Sequence, residues 1–552
     1  MIAEQIKQSI NAALAALTLP SADFVLEHPS DLTNGDYAAN VALVLAKTEN
    51  KNPRELAEQI ANHINQQKLA WLAEVQVAGP GFLNFHLSDE FLVGSLAEIM
   101  EQGENYGQSE HAQGLKTIVE YTDPNPFKEF HIGHLMSNTI GEAISRVIAA
   151  NGAEVKRACY QGDVGMHVAK AIYGLQNSKS LKEAYAFGAQ VFETDELVKQ
   201  AIQDLNKKIY DRRDEAVNKL YDTGREESLA AFEQIYQKLG TKFDFYFFES
   251  ESGQFGKQVV LANENIFKAG EKGAVVYEGE LDGLHTRVFI NGEGLPTYEA
   301  KELGLAKIKY DKYPYDYSVV ITGNEIKDYF RVILAAMKKV FPALAAKTHH
   351  VTHGMLRLPS GKMSSRTGEV ITAESLIGEV KTKIKNKLAE SEKGGELDEE
   401  ILEQVAIGAI KYSILKQDSS HDIIFDLDKS ISFEGNSGPY LQYTFARTQS
   451  VLAKAKEEGI KPTVAAPEAP RELERLLYRY PEVVARAGEH LAPHLLATYL
   501  TELAGAFNAY YASNQIVSEK GEAAYRVALT GAVGQVLKNG LHLLAIAAPA
   551  KM

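Results

Sequence analysis

The sequence predicts an α/β protein: a parallel-sheet domain with an insertion, a small N-terminal α/β domain and a C-terminal all-α helical bundle. Three observations carry this reading. A chain of 552 residues is too long for one core and points to three or four domains. A strand–helix–strand pattern over residues 117–160 is what a Rossmann-type parallel sheet requires. Beyond about residue 376 the apolar spacing is helical almost to the end.

Residues 1–112 read as the N-terminal domain. Ile2, Ile6, Ile10, Leu14 and Leu17 recur at helical spacing. They predict a surface helix rather than a secretory leader, which Glu4 and Gln5 also oppose. Asn34-Gly35-Asp36 marks a turn. Ala39 to Ala46 and Pro53 to Ile64 read as helices, the second with proline at its start. Val75 to Ala78 and Phe82 to Leu87 alternate as a strand pair about Pro80-Gly81.

Residues 113–375 read as the parallel-sheet domain. Thr117 to Tyr121 is a short β-branched strand. A helix follows from about His134 to Ala150, with Leu135, Ile140, Ala143, Ile144, Val147 and Ile148 as its apolar face. Asn151-Gly152 closes it. Val155 to Tyr160 is the next strand. Residues 175–290 read as an insertion that interrupts the sheet, charged and helical from Leu181 to Leu239 and strand-like from Ala274 to Ile290. The sheet resumes with Tyr317 to Thr322 and His350 to Leu358. A Gly/Ser-rich loop follows at Pro359 to Gly368. Residues 376–434 read as a helical connecting region. Residues 435–552 read as a terminal helical domain containing a Pro-rich linker, Lys461 to Pro470.

Composition narrows the class. One cysteine, Cys159, excludes a disulfide framework and a cysteine-ligated zinc knuckle, and a reducing cytoplasm is the expected compartment. No apolar run approaches the roughly 18–20 residues that span a bilayer, so no membrane role is expected. The net charge of −15 lends no support to a nucleic-acid partner, so that case must rest on motifs.

The informative stretch is EYTDPNPFKEFHIGHLMSN, Glu120 to Asn138. It places His131-Ile132-Gly133-His134 at a strand-to-helix junction. A helix N-terminus offers unpaired N–H groups and positive dipole to an anion. Gly133 allows close approach of a ligand, and two imidazoles can donate to phosphate oxygens. GKMSSRTG, Gly361 to Gly368, follows a later predicted strand. Lys362, Ser364, Ser365 and Arg366 could close over a triphosphate with cations and hydroxyls. Either motif alone has a bland reading, a surface His pair or a polar turn. Both in this order, each after a predicted strand, point to a nucleotide site. Asp163 and His167, in YQGDVGMH, are further pocket candidates, or simple helix caps.

These motifs resemble the His-Ile-Gly-His and Lys-Met-Ser-Lys-Ser signatures of class I aminoacyl-tRNA synthetases, and their surroundings resemble the arginyl-tRNA synthetase family. The resemblance extends over most of the chain. GDYAAN (Gly35 to Asn40) and GPGFLNF (Gly79 to Phe85) are similar to that family's added tRNA-binding domain. GNSGPYLQYTFAR (Gly435 to Arg447) and NGLHLLAIAAPAKM (Asn539 to Met552) are similar to its helical anticodon-binding domain. What this implies is an arginine–tRNA ligase using ATP, with Mg²⁺ on the nucleotide, no zinc and no dedicated metal site. Its partners would be tRNA(Arg), L-arginine and ATP, with no DNA, and the protein would act as a monomer. The resemblance also implies that arginine activation requires bound tRNA.

The resemblance assigns roles residue by residue. His131, His134, Lys128, Lys362, Ser364, Ser365 and Arg366 would carry catalysis. Glu120, Asn125, His131, Tyr298 and Glu302 would bind arginine. Gly133, His134, Asp163, Lys362 and Met363 would bind ATP. Tyr37, Asn40, Phe82, Asn84, Tyr440, Asn508 and Met552 would meet tRNA. Three positions depart from the family pattern. Glu302 stands where aspartate is usual, Ile326 near a usual glutamine (with Asn324 or Tyr329 as substitutes), and Ser365 where lysine is usual. Lys128, three residues before His131, is expected to supply the charge that Ser365 lacks. Alternatives are a catalytically impaired tRNA-binding paralogue and a class I synthetase for another amino acid.

Overall fold

A computed structural model describes residues 1–29, 31–357, 371–390, 397–464, 472–518 and 522–552. Its centre is a five-stranded parallel sheet. The strands are β1 (Lys116–Glu120), β2 (Glu154–Gln161), β3 (Phe245–Phe248), β4 (Tyr317–Gly323) and β5 (Thr348–His353), in the spatial order β5-β4-β1-β2-β3. β1 and β2 are joined by the helix Ile132–Ala150, which makes the predicted strand–helix–strand unit.

That helix is buried on more than the predicted face. Ser137, Asn138, Thr139, Glu142 and Ser145 are enclosed with the aliphatic residues. They are tolerated because each is hydrogen-bonded where a role is visible: Glu142 accepts from Tyr121 Oη at 2.5 Å and pairs with Arg146 (2.7 Å) and Arg157 (3.0 Å). Helices Glu399–Leu415, Glu472–Glu489, Pro493–Ser513 and Ala523–Leu543 contribute to one apolar core with the sheet domain. The helical bundle is thus built onto the sheet domain rather than tethered to it.

Residues 175–290, read as an insertion that interrupts the sheet, include one strand of it. Three helices, Leu181–Thr194, Glu196–Asp211 and Glu215–Leu239, occupy the charged stretch. The last of them puts Phe232, Ile235, Tyr236 and Leu239 into the main core, and Phe245–Phe248 completes the sheet beside β2. The run Phe245-Tyr246-Phe247-Phe248 is short and aromatic, a buried-strand pattern hidden between long helices. Lys268–Ala269, Val275–Tyr277 and Arg287–Ile290 form a separate antiparallel sheet. Leu356–Arg357 leaves the central sheet and pairs instead with Ile423–Ile424.

The N-terminal domain packs the helices Ile2–Ala16, Val41–Glu49 and Pro53–Gln66 on a four-stranded sheet. Tyr37–Ala39 is a strand of that sheet, so the helix expected from Ala39 begins at Val41, after Asn40 turns the chain. Asp36 pairs with Arg475 at 3.0 Å, and Tyr478 joins the N-terminal core, so the domain is seated on the helix Glu472–Glu489. Among the described residues, no helix is long and apolar enough to cross a membrane.

Candidate active site

The site lies at the carboxyl ends of β1 to β4. This edge collects ligands in parallel sheets because loops and helix N-termini converge where the strand order reverses, here at β1. After Glu120 the backbone is constrained: Thr122, Asp123 and Phe127 have φ of 82°, 45° and 69°. Such φ values, unusual for side-chain-bearing residues, persist only where neighbours hold them. Ser137 Oγ accepts from Thr122 N–H at 2.9 Å, and Asn138 Nδ2 donates to Thr122 Oγ1 at 3.0 Å. A Cβ on Gly224 would come within 2.5 Å of the Phe127 ring, so that position needs glycine.

His131 caps the helix Ile132–Ala150. Its Nδ1 accepts from the N–H groups of Gly133 (3.1 Å) and His134 (3.4 Å), while His134 Nδ1 accepts from His131 N–H at 3.3 Å. The rings stack with centroids 3.6 Å apart. The sequence reading left those helix N–H groups for an anion; the His131 ring takes two of them. Gly133 also acquires another reason, since a Cβ there would stand 2.9 Å from His131 Cε1. With both Nδ1 atoms accepting, each neutral ring carries its proton on Nε2 as a donor. Burial, helped by the Lys128 charge, lowers the pKa of both imidazoles, His134 strongly. Lys128 is half-buried, with Nζ 4.7 Å from the Tyr185 ring centroid.

Beside this pair is a buried acid cluster. Glu120 is 1% exposed and pairs with Lys309 Nζ at 2.6 Å. Glu302 is enclosed, and Asp123 Oδ1 accepts from Tyr160 N–H at 2.7 Å. Burial first, and then the Glu120 charge, raises Asp123 and Glu302 well above the usual carboxylate range. Burial and the charges of Glu302, Glu120 and Asp123 likewise raise the Tyr298 phenol, which therefore lies among the acids. Tyr298, Glu302 and Lys309 share one face of the helix Tyr298–Lys312, at intervals of four and seven residues. Glu249 pairs with Lys301 at 2.5 Å next to this cluster. A Cβ on Gly162 would lie 2.3 Å from Asn125 Oδ1, which puts Asn125 against the end of β2.

Other expected site residues are placed differently. Asp163 is fully buried, and its carboxylate accepts from Tyr221 Oη (2.9 Å), Ser250 N–H (2.8 Å) and Ser250 Oγ (2.7 Å), with Arg225 at 3.1 Å. Its carboxylate thereby joins the end of β2 to the residues after β3 and to the helix Glu215–Leu239. Asn324 donates to Ser420 O at 3.0 Å, and Tyr329 stacks on the Arg287 guanidinium at 3.6 Å, so both candidates for the lost glutamine are engaged away from the acids. Tyr37 is buried and donates to Glu482 Oε1 at 2.6 Å, so its hydroxyl is engaged within the protein. Asn84 is buried and Phe82 half-buried, while Asn40 Oδ1 accepts from Val25 N–H at 2.9 Å. Asn508 binds Arg447 and Thr444, and Arg447 lies 4.9 Å from the rings of both exposed tyrosines Tyr443 and Tyr511. Tyr440 and Met552 are half-buried at the edge of the core. Lys362, Met363, Ser364, Ser365 and Arg366 lie outside the described residues.

The sequence reading missed Lys309, Asp123 and the Glu249–Lys301 pair. A signal existed for Lys309 in its helical spacing from Tyr298 and Glu302. None existed for Glu249, which only the pairing of β3 beside β2 brings to the site.

A parallel sheet with a stacked imidazole pair at the helix following its first strand defines the class I type of nucleotide-activating catalytic domain. The family model described as tRNA synthetases class I (R), catalytic domain, matches residues 95–427. The models for the arginyl tRNA synthetase N terminal domain and the DALR anticodon binding domain match residues 4–87 and 441–552. The chain belongs to the arginyl-tRNA synthetase family. It is 31% identical to the arginine–tRNA ligase of Fusobacterium nucleatum, over 93% of this chain and 92% of that protein. The arginine–tRNA ligase of Treponema pallidum is 29% identical, over 95% of this chain and 94% of its own. The solved Thermus thermophilus arginyl-tRNA synthetase superposes with a TM-score of 0.78 at 25% identity, covering all of both chains.

Proposed function

We propose that the chain is an arginine–tRNA ligase, which activates L-arginine with ATP and transfers the arginyl group to the 3′-terminal ribose of tRNA(Arg). The observation that carries the reading is the acid cluster beside the imidazole pair. Asp123 and Glu302 have no ion-pair partner among the described residues, and a guanidinium supplies the planar, multivalent cation they lack. A neutral side chain would leave that charge unrelieved, which gives strong rejection.

In the first step an arginine carboxylate oxygen attacks the α-phosphorus, and the bond to pyrophosphate breaks. Glu120, Asn125, Tyr298 and Glu302 hold the amino acid. The Nε2–H groups of His131 and His134 and the Lys128 ammonium meet the charge that builds on the phosphates. Lys362, Met363, Ser364, Ser365 and Arg366 join them by resemblance to the family's second signature. In the second step a terminal ribose hydroxyl attacks the arginyl carbonyl carbon and AMP leaves. Mg²⁺ would accompany ATP and offset phosphate charge; among the described residues, no three His, Cys, Asp or Glu side chains are grouped to hold a metal. The Tyr443–Arg447–Tyr511 stack, with Tyr440 about one turn earlier on the same helix as Tyr443, suits unstacked RNA bases. The enzyme is read as a cytoplasmic monomer.

Aminoacylation of total tRNA with each amino acid in turn tests the reading. Charging by arginine alone is the expected result. Charging by another amino acid makes it a different class I synthetase, and no charging makes it a tRNA-binding paralogue.

A further inference from the structure

The helix Tyr298–Lys312 carries two buried lysines, and each takes one carboxylate. Lys301 Nζ pairs with Glu249 at 2.5 Å and Lys309 Nζ with Glu120 at 2.6 Å. Asp123 and Glu302 are the surplus. Lys309 is enclosed, 3% exposed, so solvent does not reach the Glu120 pair. Around it stand Glu120 from β1, Asp123 from the loop after β1, Tyr315 before β4 and Glu302 from its own helix, while Tyr160 from β2, Glu249 after β3 and Tyr298 face Glu302 in turn. Removing one cation from such a set makes every neighbouring carboxyl harder to ionise, because like charges in a poorly solvated site cannot all persist.

We infer that Lys309 is a built-in counter-ion that sets the charge of the pocket, a positioning residue that acts through Glu120 to keep the site ready for one guanidinium. The inference rests on the arginine reading above. Lys309 never needs to touch the substrate. It neutralises one acid and so limits how far burial and like charge raise Asp123 and Glu302, which leaves them able to ionise against the incoming cation. The guanidinium keeps its charge at every working pH, so protons that weaken its binding on the acid side sit on the pocket.

The test measures Michaelis constants for arginine and ATP against pH in wild type, Lys309→Met and Lys309→Arg by aminoacylation. In wild type the arginine constant rises on the acid side, where protons compete for Asp123 and Glu302. In Lys309→Met that limb moves to higher pH by about 1–3 units, the ATP constant keeps its wild-type profile, and Lys309→Arg restores the limb. An unmoved limb in Lys309→Met, or equal movement for both substrates, overturns the inference. Should Lys309→Met fail to fold, Lys309→Gln carries the same comparison, since it keeps a donor for Glu120 without charge. Absence of arginine charging in the wild type would instead remove the arginine reading itself.

Discussion

Ser228 Oγ accepts a hydrogen bond from the backbone N–H of Phe127 at 2.9 Å, and both residues are buried. The contact ties the constrained loop after β1 to the helix Glu215–Leu239. That helix also reaches Asp163 through Tyr221 and Arg225, and its last residues lie in the main core. A stretch that reads as an insertion is therefore the brace of the site.

Ser228→Ala leaves the Phe127 N–H buried and unpaired. Chemical unfolding should show a loss of about 1–3 kcal/mol. Because the loop carries Asn125 and Lys128, the arginine Michaelis constant should rise as well. A variant as stable as wild type would show that the contact does not hold the loop.

Glu120→Gln removes the carboxylate that pairs with Lys309. The arginine Michaelis constant should rise about tenfold or more, while that for ATP hardly changes. Stability should also fall by about 1–3 kcal/mol, since the direct pair with Lys309 is lost and only the more distant charges of Asp123 and Glu302 remain to it. Equal effects on both substrates would argue against the assigned role.

Lys128 lies close enough to the imidazole pair that, among the described residues, its charge adds to burial in lowering the pKa values of His131, His134 and His167. Pyrophosphate exchange should drop about a hundredfold in Lys128→Ala. Exchange that survives almost unchanged would end the idea that Lys128 stands in for the charge missing at Ser365.

His167 Nε2 donates to Gly162 O at 2.7 Å, and burial pushes the ring down to about 3. The unfolded chain therefore binds a proton below about pH 6.5 that the native state refuses. The sign follows: this contribution is intact above that pH and is lost as pH falls toward the folded value. By pH 5 it should cost about 2 kcal/mol. Urea unfolding of His167→Gln should be less steep in pH by that amount, and an identical slope would assign the acid sensitivity to other groups.

Tyr37 reads in the sequence as an RNA contact, but its hydroxyl donates to Glu482, which also meets His28 at 3.3 Å. Tyr37→Phe should lower stability by about 1–3 kcal/mol and leave the Michaelis constant for tRNA unchanged. A large rise in that constant with unchanged stability would return Tyr37 to the RNA surface.

Local patterns were legible where one element carries the whole signal. The strand–helix–strand unit, the cap at Asn151-Gly152 and the His131–His134 pair all depend on neighbours within a few residues, so periodicity and spacing reveal them. Phe245–Phe248 was not legible as a sheet strand, because its partner β2 lies over eighty residues earlier and nothing local names it. The burial of Tyr37 and the saturation of Asp163 were hidden for the same reason, since their partners come from Glu482 and from Ser250, Tyr221 and Arg225.

The sequence by itself determined the α/β class, the order of its parts, the nucleotide-site motif and the family. Those follow from local spacing and residue type. Only the tertiary structure decided which charges share a pocket. Glu120, Asp123, Glu249, Glu302, Lys301 and Lys309 come from three separate stretches of chain, and burial together is what gives their charges force. A carboxylate in solvent is screened and ordinary, whereas the same group beside others in a dry site must find a cation. Lys309 supplies one cation for Glu120, and the remaining acids are read as the seat of the substrate's.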